Sequence, residues 1–252
     1  MPVLLPITIL RFGSLPSTNT EAAGQAMSGA AEGLCVVARE QTAGRGRRQR
    51  GWVSPPDAGL YFSIVLRPRL EISRWPLLTL MAAVAVRETL QECCAIKADI
   101  KWPNDLLVDN LKLCGILAET VETPQGRAVV VGIGINLSEH ALPPEVREYA
   151  TSVAAASGRV PDTETLVRVL ARHLSRRYAQ LHETGGPAEI LREWSSHSSY
   201  GEGKRVRVSM GEEVIEGVTR GLEPDGALRV ETAAGEINIV RAGDVTAVRE
   251  KS

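Results

Sequence analysis

Apolar positions along the chain fall into two rhythms. Up to about residue 200 they form continuous runs at Leu34–Arg39, Leu60–Leu66, Ile96–Lys101, Lys112–Glu119 and Ala128–Leu137. Each run is rich in Val, Ile, Leu or Tyr and most are bounded by Gly, Pro or Asn, which predicts strands. Two stretches carry helical spacing instead. Ser73 is placed to cap a helix over Trp75–Glu92, with Leu77, Leu80, Met81 and Val84 on one face. Asp162 or Thr163 begins the other, in which Leu166, Val169, Leu170, Leu174, Tyr178 and Leu181 share a face and Gly185–Gly186 supply a stop. Ser17-Thr18-Asn19, before an alanine-rich stretch, reads as a further helix N-cap.

Beyond Tyr200 the runs shorten and alternate: Arg205–Met210, Val214–Arg220, Ala227–Glu231, Ile237–Val240 and Val245–Arg249. Met210-Gly211, Asp225-Gly226 and Ala234-Gly235 separate them as turn signals. The pattern predicts two units: residues 1–200 with strands and helices mixed, then a small antiparallel all-β barrel or sandwich at 201–252.

Composition narrows the function. With 29 basic and 30 acidic residues among 252, the net charge of −1 excludes a globally basic nucleic-acid binder and an acidic tail. The longest apolar stretch, Pro76–Val86, is interrupted by Thr79 and falls well short of the ~20 residues a spanning helix needs. Met1–Leu10 is apolar but its first cation, Arg11, follows it, the wrong order for a secretory signal. Cys35, Cys93, Cys94 and Cys114 have no C-x-x-C spacing, and His140, His173, His182 and His197 are scattered, so neither a disulfide framework nor a zinc site is expected. These features point to a cytosolic protein with reduced thiols.

Chemistry concentrates in three places. Arg39–Arg50 holds five arginines and one glutamate around Gly44-Arg45-Gly46-Arg47-Arg48, with Gln41 and Thr42 before it and Trp52 after. Arginine forks suit phosphate and carboxylate oxygens, and the interleaved glycines permit close backbone approach. A solvated basic loop or an RNA-binding tract would look much the same by composition. Lys101-Trp102-Pro103-Asn104-Asp105 forms a stiff corner carrying a lysine, an aromatic face, an amide and a carboxylate. A turn at Asp109-Asn110 lets it pair as a hairpin with the strand headed by Lys112. Gly132-Ile133-Gly134-Ile135-Asn136 lacks the third glycine and the helix of a dinucleotide fingerprint. Its two glycines share one strand face, which leaves room for a ring to pass over the sheet and for Asn136 to read a base edge, or else marks a tight packing contact.

Together these segments resemble the biotin–protein ligase family. The resemblance rests on Ser17-Thr18-Asn19, Glu40–Arg48, Lys101–Asp105, Lys112-Leu113-Cys114-Gly115-Ile116-Leu117 and Gly132–Asn136, in the family's order across most of residues 10–140. It implies an α+β fold in which a mixed-sheet catalytic domain is followed by a small SH3-like barrel. It also implies a two-step reaction: biotin and ATP give biotinyl-adenylate, which then acylates a lysine of a biotin carboxyl carrier domain, usually that of acetyl-CoA carboxylase. By the same resemblance Lys112, Arg47, Arg45 and Asp105 carry the chemistry. Ser17, Thr18, Asn19, Gln41, Gly44, Gly46, Trp52, Gly115, Gly132 and Gly134 join Arg45, Arg47 and Lys112 around biotin. Arg48, Lys101, Asn104 and Asn136 join Arg45, Arg47, Asp105 and Lys112 around ATP, with magnesium arriving on the triphosphate.

Two departures from the family pattern stand out. Gln49 replaces a frequent loop glycine, which should stiffen the loop, and Cys114 replaces a small residue, commonly Ala or Gly. Ser17 comes too early for the DNA-binding domain that some members carry, so no repressor role and no DNA partner are expected. Pairing of two chains through a sheet edge, common in the family, is an open possibility. The rival readings are lipoate–protein ligase, an RNA-binding module and a dead scaffold; the first shares the fold but lacks this loop paired with Lys-Trp-Pro-Asn-Asp.

Overall fold

In the computed structural model, which describes residues 4–248, the first unit is built on a seven-stranded mixed sheet. Strands β1 (Thr8–Leu15) and β2 (Leu34–Gln41) run parallel, linked by helix α1 (Thr18–Met27). β3 (Gly59–Leu66), β4 (Asp99–Lys101), β5 (Asp105–Val108), β6 (Leu111–Thr123) and β7 (Gly126–Asn136) complete the order β1-β2-β3-β7-β6-β5-β4, with every remaining pair antiparallel. β5 and β6 form the expected hairpin, with Asp109 and Asn110 both at positive φ, as a tight two-residue turn demands.

Helices cover both faces. α1 closes a small cluster that includes Leu15, Ala22, Ala26, Val36 and Val130. On the other face α2 (Leu77–Cys94) is apolar almost all round, because it is wedged between the sheet and helices α4 (Thr163–Leu181) and α5 (Gly186–Ser196). α3 (Val153–Ser157) is a short turn leading toward α4.

Several elements depart from the sequence expectation for local reasons. α2 starts after Pro76, not Ser73: residues Ile72–Arg74 form a separate 3-10 turn, and proline suits a helix start because it has no N–H to leave unpaired. It ends at Cys94, with Ala95 in the left-handed conformation (φ 57°), so Ile96–Ala98 is a connection that buries Ile96 and Ala98, and only Asp99–Lys101 is strand. Gly185-Gly186 does not merely stop α4, which ends at Leu181 and is capped at its start by Asp162. Gly185, at φ 79°, is the N-cap of α5, a helix the periodicity reading lacks. β1 was likewise not anticipated; it is a largely exposed edge strand with little apolar alternation.

The second sheet comprises β8 (Glu202–Met210), β9 (Glu213–Leu222), β10 (Leu228–Glu231), β11 (Ile237–Val240) and β12 (Asp244–Ala247), in the antiparallel order β11-β10-β9-β8-β12. Gly211, Gly226 and Gly235 sit in turns at positive φ, as their sequence positions predict. This is the small antiparallel β unit that the sequence predicts; among the described residues no ladder joins β11 to β12, and Arg249 lies outside the described residues. The two units are stitched together by the buried Trp102 indole, which donates to the Gly226 carbonyl at 3.0 Å. The four cysteines are free, and no helix among the described residues is long and apolar enough to cross a membrane.

Candidate active site

The site begins with three glycines in the middle of the sheet. Gly115 of β6 pairs with Gly134 of β7, and Gly132 lies two residues along on the same face. A Cβ at Gly134 would stand 2.6 Å from Trp52 Cε2, one at Gly115 2.9 Å from Trp52 Cζ3, and one at Gly132 2.1 Å from Asn19 Oδ1. The ring for which the glycines clear space is therefore the protein's own Trp52 indole, with the Asn19 amide beside it.

Above this floor, the start of α1 and the end of β2 supply the polar end of a cleft. Gln41 Oε1 accepts from the Thr18 amide at 2.8 Å and from Thr18 Oγ1 at 3.1 Å, while its Nε2 donates to Ser54 Oγ at 2.8 Å. Ser17 makes no capping bond with its hydroxyl, which lines the cleft. Asn19 is fully engaged: Oδ1 accepts from Ser63 at 2.6 Å, and Nδ2 donates to Glu119 at 2.8 Å and to the Leu117 carbonyl at 3.3 Å.

The glycine–arginine segment is a hairpin. Gln41 bridges Ser54, Arg45 bridges Gly51, and the Trp52 amide donates to the Gly44 carbonyl at 2.9 Å. A Cβ at Gly44 would stand 2.2 Å from the Trp52 carbonyl oxygen, so the two arms meet only because this residue has no side chain. At the tip Arg48 and Gln49 are both left-handed (φ 54° and 60°). Gln49 thus holds a conformation that glycine would adopt freely and that costs other residues about 1–2 kcal/mol.

Each cation has a resident partner. Lys112 Nζ lies 2.7 Å from Asp105 Oδ1 and 5.3 Å from the centroid of the Trp52 ring. A register shift between Leu106 and Leu107 in the β5–β6 ladder accompanies this placement. Arg47 donates to Asn104 Oδ1 at 3.0 Å and to the Gly243 carbonyl at 3.2 Å. Burial pulls its pKa down, against the opposing charges of Asp244 and Asp105, yet a guanidinium stays charged at neutral pH. Arg45 pairs with Glu119, and Arg48 and Arg50 with Asp244.

The resulting cleft is open to solvent along one side. All the residues singled out from the sequence line it except Gly44, Arg48, Lys101 and Asn136. Gly44 shapes the hairpin instead. Arg48 reaches away to Asp244 and to the Ser209 carbonyl at 3.1 Å. Lys101 packs 5.8 Å above the Tyr200 ring, where burial lowers its pKa. Asn136 donates its amide to the carbonyls of Thr151 (3.0 Å) and Lys112 (3.5 Å), which tethers the segment after β7 and leaves that N–H pair unavailable to a base. Cys114 is buried behind Gly115, and burial pushes its thiol pKa up, so it is inert packing. The sequence reading missed Arg50, Gly51, Ile116, Leu117, Ile133 and Asp244 in the lining. Arg50 sat in plain view within the arginine run; Asp244 carried no local signal.

Two family patterns match the chain: the biotin/lipoate A/B protein ligase family over residues 12–136, and the biotin protein ligase C terminal domain over residues 203–246. The chain is 38% identical over 238 residues to a biotin–[acetyl-CoA-carboxylase] ligase of Paracoccus denitrificans, covering 91% of this chain and 96% of that one. The chain belongs to the biotin protein ligase family. It is also 37% identical over 224 residues to the bifunctional ligase/repressor BirA of Bacillus subtilis, covering 88% of this chain and 68% of the other. Among solved structures, the biotin protein ligase of Aquifex aeolicus in complex with biotin and ATP superposes with a TM-score of 0.83 at 28% identity, over 96% of this chain and 99% of that one. Both units of this biotin protein ligase family member, and not the first alone, therefore have counterparts in its relatives.

Proposed function

We propose that the protein biotinylates a carrier lysine in two ATP-dependent steps. In the first, a carboxylate oxygen of biotin attacks the α-phosphorus of ATP; the bond to pyrophosphate breaks and biotinyl-5′-AMP forms. In the second, the ε-nitrogen of the acceptor lysine attacks the acyl carbon, the bond to AMP breaks, and the amine gives up its proton. The relatives' names make the carrier domain of acetyl-CoA carboxylase, or a similar carboxylase, the acceptor we favour.

The observation that carries this reading is the convergence of Lys112, Arg45 and Arg47 on one cleft whose far end is lined by Ser17, Thr18 and Gln41. A carboxylate and a triphosphate repel each other, so their reaction needs fixed positive charge where they meet. Lys112, beside the Trp52 ring, is the group we assign to the carboxylate and α-phosphate, where charge builds in the transition state. Arg45 and Arg47 gather the remaining oxygens. Ser17, Thr18 and Gln41 suit the polar ring of biotin, Trp52 and the glycine floor its apolar body, and Asn19 shapes the wall through its engaged amide. Asn104 and Asp105 face the nucleotide, and Asp105 is placed to accept the proton from the acceptor amine. Among the described residues no three or more metal-ligating side chains cluster. Magnesium is therefore assigned to the triphosphate, held mainly by phosphate oxygens and water.

The test is exchange of labelled pyrophosphate into ATP, run with biotin and in parallel with lipoate. Biotin-dependent exchange that disappears in Lys112→Ala establishes the first step. Exchange with lipoate alone moves the protein to the sister activity, and exchange with neither refutes adenylation.

A further inference from the structure

Glu119 on β6 has no part in the two-step chemistry, yet it touches two groups that the cleft depends on. Its Oε2 accepts from Asn19 Nδ2 at 2.8 Å and pairs with Arg45 Nη2. These two partners differ in freedom. Asn19 is 4% exposed, and its amide is locked by Ser63, the Leu117 carbonyl and the bare Cα of Gly132. Arg45 has a half-exposed side chain between two glycines. Glu119 is thus anchored from below on a buried amide and offers its charge upward to a half-exposed guanidinium at the cleft wall.

Resting on the biotin-adenylation reading, we propose that Glu119 is a specificity-determining residue: an internal carboxylate that competes with the ligand's carboxylate for Arg45. Arg45 Nη2, engaged with Glu119 Oε2, cannot offer the same N–H to a second anion. Any anion entering the cleft must displace Glu119 or share Arg45 with it. A small anion has only its charge to set against this competitor. A ligand that also fills the ring end of the cleft has binding energy in reserve and wins the exchange. The competitor therefore lowers the affinity of every anion by a similar factor, so that only a carboxylate whose body also fills the cleft still binds at useful concentrations.

The test uses Glu119→Gln, which keeps an acceptor oxygen for Asn19 and removes only the charge. Calorimetric affinities are measured for biotin and for biotinamide, its uncharged carboxamide. The variant is expected to bind biotin up to about fivefold tighter, the upper end of what a partly exposed ion pair contributes, and biotinamide unchanged. In an Arg45→Gln background the gain should vanish, because the competition needs Arg45. Equal or weaker biotin binding by Glu119→Gln overturns the proposal, as does a parallel change for biotinamide, which would make Glu119 a mere brace for Asn19. A wild-type protein that binds neither ligand overturns the biotin reading itself, a result distinct from both.

Discussion

Asp244 on β12 accepts a hydrogen bond from Arg50, which lies 194 residues earlier in the chain, and another at 3.3 Å from Arg48. Its other oxygen lies 3.9 Å from Arg47, so one carboxylate of the C-terminal sheet faces three guanidinium groups of the glycine–arginine hairpin. The small domain is in this sense the fastening of the active-site loop. Asp244→Ala should raise the rate of proteolytic cleavage within residues 45–51 about fivefold, the effect of losing roughly 1 kcal/mol of ion pairing. Biotin-dependent pyrophosphate exchange should fall with it, and Asp244→Glu should recover part of both. Unchanged cleavage in the alanine variant would show that the loop does not lean on the second sheet.

The pair Lys112–Asp105 sets a second expectation. At 2.7 Å, beside an indole ring, the ammonium is already oriented, so its removal forfeits a positioned charge and not a floppy one. Lys112→Ala should lower the exchange rate by about 10²–10³. Lys112→Arg should recover little, since a planar fork does not fit a site built for a point charge. Wild-type exchange in the alanine variant would remove Lys112 from the chemistry.

What the sequence made legible follows from how local each signal was. The strands of the central sheet announced themselves because buried strands are continuous apolar runs, and the β5–β6 hairpin because Asp109-Asn110 tolerate positive φ. Thr18, Gln41, Arg45, Arg47 and Lys112 could be gathered into one site from the sequence because the family resemblance rests on the short local segments that hold them. β1 and α5 were missed because an exposed edge strand has weak alternation and a glycine pair starts a helix as readily as it ends one. Glu119 and Asp244 were invisible because their partners lie 74 and more than 190 residues away. The engagement of Asn136 by Thr151 and of Lys101 by Tyr200 was equally illegible, because those partners lie outside the short segments that hold Asn136 and Lys101.

Gly134 offers a test of the floor. A methyl group there would meet Trp52 Cε2 at 2.6 Å and Nε1 at 2.7 Å, well inside van der Waals contact, so the indole must move. Gly134→Ala is expected to raise the KM for biotin at least tenfold while changing the KM for ATP much less, because Trp52 borders the ring end of the cleft. Overpacking of this kind costs about 1–3 kcal/mol, which for a chain of this size lowers Tm by several degrees. Equal increases in both KM values would count against Trp52 as a biotin-side wall.

The far face of the sheet carries a charge cluster whose behaviour with pH has a definite sign. Glu88 of α2 accepts from Arg177 of α4 at 2.6 and 3.0 Å, from Arg176 at 2.6 Å, and faces His173 at 3.2 Å. Burial pushes the Glu88 pKa up, but the Arg177 hydrogen bonds and the charges of Arg177, Arg176 and His173 outweigh it and hold the carboxyl below its ordinary 4.5. A folded-state pKa below the unfolded one gives stability that is fully present above about pH 4.5 and is lost as the pH falls through the folded value. Protonation would also take from Arg177, whose side chain is only 8% exposed, its nearest carboxylate, leaving Gln180 at 2.7 Å and Glu193 at 3.6 Å. Tm should therefore hold steady down to about pH 5 and then fall. Glu88→Gln should have a lower Tm at neutral pH and a shallower fall in acid. Glu92, Asp57, Asp162 and Glu164 are also held low by their partners and titrate in both proteins, so the difference between the two curves isolates Glu88. Parallel curves would show that the cluster contributes nothing to the acid limit of the fold.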